Sequence, residues 1–183
     1  MYRYNVIAHI LTLTRILLTP VFAACIYYMK LYPTLSVWVK IILIVVGISD
    51  WLDGFIARKW GSKSLIGTFL DPIADKIFLD TSIIVISITY HLPVWVTAVL
   101  VGRDVCVLIV WSFYLFVSNK KYEAVVHVFG KLMIAFQIAT IAAAVFSSNI
   151  FLIRTLCLIA VFFSVGSAIV YVVNIDKHRR LLP

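Results

Sequence analysis

A chain of 183 residues that is 63% hydrophobic and only 13% charged, with a mean hydropathy of +1.07, is not a soluble domain; soluble chains carry about 25% charged residues. Sixteen Lys and Arg against eight Asp and Glu give a net charge of +8. The basic residues are scattered between apolar segments, which fits attraction to anionic lipid and argues against nucleic-acid binding. Six spans of about 20 residues would use about 120 positions, so the length excludes a large catalytic domain outside the bilayer.

The apolar runs predict helices over 7–28, 35–56, 70–90, 93–117, 125–146 and 150–173. They lack the strict alternation of barrel strands. The first has no small-residue cleavage site after a short apolar core and reads as a retained span. The second ends in Asp50 and Asp53, and the third opens with Asp71 and Asp75. The fourth holds Arg103 and Asp104, and the fifth Lys131. Arg3, Arg58, Lys59, Lys63, Lys120, Lys121, Lys177, Arg179 and Arg180 would gather on one side, leaving chiefly Lys30, Lys40 and Arg154 on the other. Positive charge marks the inner side. The expected fold class is therefore all-α, a polytopic membrane protein with six transmembrane helices and both termini cytoplasmic, forming a single domain over 1–183. Cys25, Cys106 and Cys157 share no motif spacing and read as small apolar residues.

Acids inside spans are costly and are functional candidates. Half of the eight acids fall between positions 50 and 75. Asp50 and Asp53 are three apart and share a helix face, which Gly54 and Ala57 continue. Gly67, Asp71 and Asp75 are spaced by four on the next helix. If the two helices are antiparallel neighbours, the two stripes converge. Four carboxylates in low dielectric repel one another, with Arg58 and Lys76 as nearby cations. Hard oxygen ligands suit two Mg²⁺ or Mn²⁺ ions, a clamp fitted to phosphoryl chemistry.

The run Asp50-x2-Asp53-Gly54-x2-Ala57-Arg58-x8-Gly67-x3-Asp71-x3-Asp75 resembles the complete signature of the CDP-alcohol phosphotransferase (phosphatidyltransferase) family, class I. The layout of six spans and the chain length resemble it too. The resemblance implies transfer of a phosphatidyl group from CDP-diacylglycerol to an alcohol with release of CMP, by direct displacement. It makes Asp50, Asp53, Asp71 and Asp75 the ligands of two divalent cations and Asp75 the general base. Asp50, Gly54, Ala57, Arg58 and Gly67 would hold the CDP-lipid. A homodimer is also implied, and a bacterial inner membrane or a mitochondrial inner membrane is the expected location, with the site facing the cytoplasm.

Arg103 and Lys131 read as an acceptor-phosphate pocket, with Arg15 facing the same cavity. Members that accept glycerol 3-phosphate typically show Arg-Glu with another Arg eight residues after the first, and a Gly-Lys-x-Lys-Thr run. Here Trp111 stands at the later Arg position, and the run is Gly130-Lys131-Leu132-Met133-Ile134. Two cations are missing, which a less charged, lipid-borne acceptor would permit. The Arg103-Asp104 element and the run from Trp51 to Arg58 are also similar to cardiolipin-forming members. Phosphatidylglycerol is thus the favoured acceptor, and glycerol 3-phosphate, giving phosphatidylglycerophosphate, is the alternative. An ion transporter should show inverted repeats, which the sequence lacks; an intramembrane prenyltransferase should carry two separated Asp-rich motifs, where this chain has one cluster. Asp80, four residues after Lys76, is expected to form an intrahelical ion pair, and His127 to be an interfacial histidine.

Overall fold

A computed structural model describes residues 2–60, 65–117 and 128–179, with side chains described for 12–49, 73–110, 112 and 128–170. Among the described residues the chain is all-helical, in the order α1 (Tyr2–Tyr28), α2 (Leu35–Trp60), α3 (Leu65–Thr89), α4 (Val94–Val117), α5 (Val128–Phe146) and α6 (Ile150–Arg179). All six overlap the expected helices. Helix nevertheless continues through 57–60 and 65–68, where the sequence suggested a connection, so Gly67 lies on α3. Ala57, Arg58 and Lys59 are good helix formers, so α2 need not stop where its apolar stretch does. The expected connection 118–124 lies outside the described residues. Among the described residues, two helical stretches, Val128–Phe146 and Ile150–Val170, are long and apolar enough to cross a bilayer, with mean hydropathy 1.9 and 2.2.

The helices form two compact units, Met1–His91 and Leu92–Pro183. In the first, α1 packs against both α3 and α2. The seam of α1 is the stripe Thr12, Arg15, Thr19, Phe22, Ile26 and Met29, all buried, while Leu13, Leu17 and Val21 are exposed. That three-and-four spacing is the helical period. Three contacts at successive heights show that α1 and α3 run parallel. Arg15 meets Asp75, the rings of Phe22 and Phe78 lie 5.0 Å apart, and Lys30 Nζ donates to the Thr89 carbonyl at 2.6 Å. Lys30 also sits 4.2 Å from the centroid of the Tyr90 ring, so its charge meets both a π-face and the negative end of α3. His91, next in the chain, has φ 51.

In the second unit, α5 and α6 form an antiparallel hairpin. Ser148, at φ 53, reverses the chain, and its N–H bonds the Ala143 carbonyl at 2.9 Å. This is the left-handed end common at helix C-termini. Asn149 Oδ1 then caps α6 by accepting from the Phe151 N–H at 3.0 Å. Met133, Gln137, Thr140, Ile141 and Ala144 are buried along α5, and Ile153, Cys157, Ala160, Ser164 and Ser167 along α6. The rings of Phe136 and Phe163 stack at 5.4 Å. Small residues let helix backbones approach closely, which matters where lipid removes the hydrophobic drive between helices.

Several hydroxyl groups follow one rule. Thr19, Ser49, Ser82, Thr140 and Thr155 each donate to the carbonyl four residues earlier, at 2.6–2.9 Å. That bond satisfies a hydroxyl without water or a second helix, which is what an apolar medium demands.

Candidate active site

Asp75 stands on α3 beside wholly buried Ala74. Its carboxylate Oδ1 contacts Nη1 of Arg15 on α1, whose side chain is 4% exposed against 42% for Asp75. A guanidinium so deeply buried needs a paired anion, and Asp75 supplies it. The exposed part of the carboxylate remains open to a ligand. Thr19 Oγ1 bonds the Arg15 carbonyl at 2.8 Å, firming the α1 turn that carries Arg15. Lys76 and Asp80 are half-buried one turn apart.

Asp50 and Asp53 lie on α2, and Asp71 on α3 with Asp75, as the spacing requires. The side chains of Asp50, Asp53 and Asp71 lie outside the described residues, as do those of Gly54, Ala57, Arg58 and Gly67 in the expected CDP-lipid site. Among the described residues, no three His, Cys, Asp or Glu side chains come together. The donor chemistry nonetheless fits Mg²⁺ or Mn²⁺, because all four candidate ligands are carboxylates and the described one is partly exposed. The described packing adds a fact not evident in the spacing: α1 is the common partner of the helices bearing the two aspartate pairs.

In the second unit Arg103 is paired through both terminal nitrogens. Its Nη1 donates to Asp104 Oδ1 at 2.8 Å, and its Nη2 to Ser167 Oγ at 2.5 Å. Asp104 is wholly buried and the Arg103 side chain 13% exposed. Gly130 is the notch that admits this group, since a Cβ there would lie 3.2 Å from Arg103 Nη2. Lys131, the other expected acceptor cation, is exposed. The structure therefore joins Arg103 to Asp104 and Ser167, and brings Arg15 to Asp75. Sequence reasoning missed Ser167, a serine far along the chain with no motif around it. It also treated Met133 as a missing cation. Met133 is wholly buried in the α5–α6 seam, so packing decides its identity, and it carries little information about the acceptor.

A family model described as CDP-alcohol phosphatidyltransferase matches residues 5–169. A CDP-diacylglycerol–glycerol-3-phosphate 3-phosphatidyltransferase of Blochmanniella floridana is 44% identical over 100 residues, covering 52% of this chain and 50% of its own. A protein of the same name from Escherichia coli (strain K12) is 30% identical over 146 residues, 77% of each chain. The names of these relatives favour glycerol 3-phosphate, the alternative acceptor, over the phosphatidylglycerol that the missing cations suggested. The match spans both helical units and nearly every residue singled out above, and this chain belongs to the CDP-alcohol phosphatidyltransferase family.

Proposed function

We propose that the protein transfers the phosphatidyl group of CDP-diacylglycerol to glycerol 3-phosphate, releasing CMP and forming phosphatidylglycerophosphate. The observation that carries this reading is the similarity, over 77% of both chains, to a relative named for that reaction. Asp50, Asp53, Asp71 and Asp75 would hold two divalent cations, Mg²⁺ or Mn²⁺. When bound, these cations polarise the pyrophosphate and offset the charge gathering on the departing CMP.

The chain's own residues supply the rest. Asp75 takes the proton from the acceptor hydroxyl. That oxygen bonds to the phosphatidyl phosphorus as the phosphorus–oxygen bond to CMP breaks, the electron pair leaving with CMP. Arg15, fixed by burial, holds the Asp75 carboxylate in one orientation. Asp50, Gly54, Ala57, Arg58 and Gly67 hold the CDP-lipid. In the second unit Arg103, oriented by Asp104 and Ser167, is the group for the acceptor's phosphate, with Lys131 adding positive charge.

The charge distribution supports six spans with both termini and the site on the cytoplasmic side, the single family match over 5–169 supports one domain, and the bacterial relatives support a bacterial inner membrane. The homodimer rests on family resemblance alone. Phosphatidylglycerol as acceptor is still favoured by Trp111, where an Arg is typical of glycerol 3-phosphate users, and by the Arg103-Asp104 element and the run from Trp51 to Arg58. Purified protein given CDP-diacylglycerol, Mg²⁺ or Mn²⁺ and each acceptor in turn decides between them. CMP release dependent on glycerol 3-phosphate is expected; release only with phosphatidylglycerol overturns the proposal.

A further inference from the structure

Where α4 and α6 begin, Leu92, Pro93, Val96, Arg154, Cys157 and Leu158 line a half-open crevice of about 70 Å³. Its inner wall, Leu92, Val96 and Cys157, is buried, while Pro93, Arg154 and Leu158 form an exposed rim. Every lining residue but Arg154 is apolar. Ordered water needs two to four polar partners, and the walls themselves are almost wholly apolar, with Arg154 at the exposed rim. A free anion would use Arg154 and leave the walls empty, whereas a hydrocarbon would use the walls and leave the charge. A phosphate joined to an acyl chain uses both. Asn149 already caps the start of α6, so the guanidinium is the anion-binding group here, and its planar fork matches phosphate oxygens.

We propose that this crevice holds one anionic phospholipid, with its phosphate on Arg154 and part of one acyl chain against Val96, Cys157 and Leu158. A space of this size takes a segment of a single chain. The site is separate from the Arg103 cluster, because Arg154 precedes Ser167 on α6 by about 20 Å at about 1.5 Å per residue. Arginine side chains near the ends of membrane helices reach the interface, where lipid phosphates lie. The proposal rests on placing the second unit in a bilayer, for which the apolar lengths of α5 and α6 speak. It does not rest on the reaction.

Native mass spectrometry of the full chain in detergent, supplemented with phosphatidylserine or phosphatidylcholine of matched acyl chains, tests it. Neither lipid is an acceptor under either reading of the reaction. Wild type is expected to retain about fivefold more phosphatidylserine than phosphatidylcholine, the preference one basic residue gives. Arg154→Gln should abolish that preference, and Leu158→Trp, filling the mouth, should lower retention of both lipids. CMP release should stay at the wild-type level in both variants. Equal retention of the two lipids by wild type overturns the proposal, as does displacement of phosphatidylserine by millimolar inorganic phosphate alone. Unchanged phosphatidylserine retention in either folded variant also overturns it, so the loss of one variant to misfolding leaves the other decisive.

Discussion

Arg15 and Asp75, sixty positions apart in sequence, meet across the α1–α3 seam as a contact between a buried guanidinium and a half-exposed carboxylate. The expected base is thus oriented by a helix that contributes nothing to the family motif. Arg15→Gln should lower kcat about 10- to 100-fold with a smaller effect on the CDP-diacylglycerol KM, because misplacing a reacting group costs rate. Asp75→Asn should lower kcat at least about 100-fold, the low end for losing a general base. If the pair acts as one unit, the double variant is no worse than Asp75→Asn. Multiplying losses would show the two residues act separately.

Chelation of divalent cations should abolish CMP release, and added Mg²⁺ or Mn²⁺ should restore it. The aspartate reading fails if a thoroughly chelated preparation keeps full activity.

Arg103→Ala should raise the KM for glycerol 3-phosphate more than that for CDP-diacylglycerol. Gly130→Ala offers a gentler version. Its Cβ would crowd Arg103 Nη2 at 3.2 Å, so a shift in the same direction but smaller is expected. Steady-state kinetics with each substrate varied in turn will show whether the acceptor KM moves alone.

Gln137 is wholly buried on α5, and both of its amide atoms lack hydrogen-bond partners among the described residues. An unsatisfied buried polar group costs about 1–3 kcal/mol. Gln137→Leu, close in shape and apolar, should therefore raise stability by about 1 kcal/mol, read as a higher midpoint of thermal unfolding in detergent. A lower midpoint would reveal an unrecognised partner.

Ser148 adopts φ 53 to close the α5–α6 turn, a conformation glycine takes without a Cβ penalty. Ser148→Gly should be neutral or stabilising by up to about 1 kcal/mol, despite losing the hydroxyl bond to the Ala144 carbonyl at 3.3 Å. Urea or thermal denaturation of the pair of proteins measures it.

The helices were legible in the sequence because apolar length and helical period are local properties, and the aspartate motif because its spacing is local too. What escaped was set by pairing between distant segments. Nothing around Ser167 marks it as the partner of Arg103, and nothing near Lys30 says that it will close the end of α3. Met133 misled in the other direction. Its lack of charge looked like a statement about substrate, yet the residue is buried in a helix seam where charge would be expelled. The sequence places Arg15 at a cavity, and its contact with Asp75 follows only from knowing that α1 and α3 run parallel.

The three rungs joining α1 to α3 also fix a length. Inserting or deleting one residue between Arg15 and Lys30 would rotate everything beyond it by about 100°. Arg15 could still reach Asp75, but Lys30 would swing away from Thr89 and Phe22 or its neighbours would leave Phe78. Along this stretch single-residue indels should be far less tolerated than substitutions on the outer face at Leu13, Leu17 or Val21, which marks the first helix as a ruler cut to match the third.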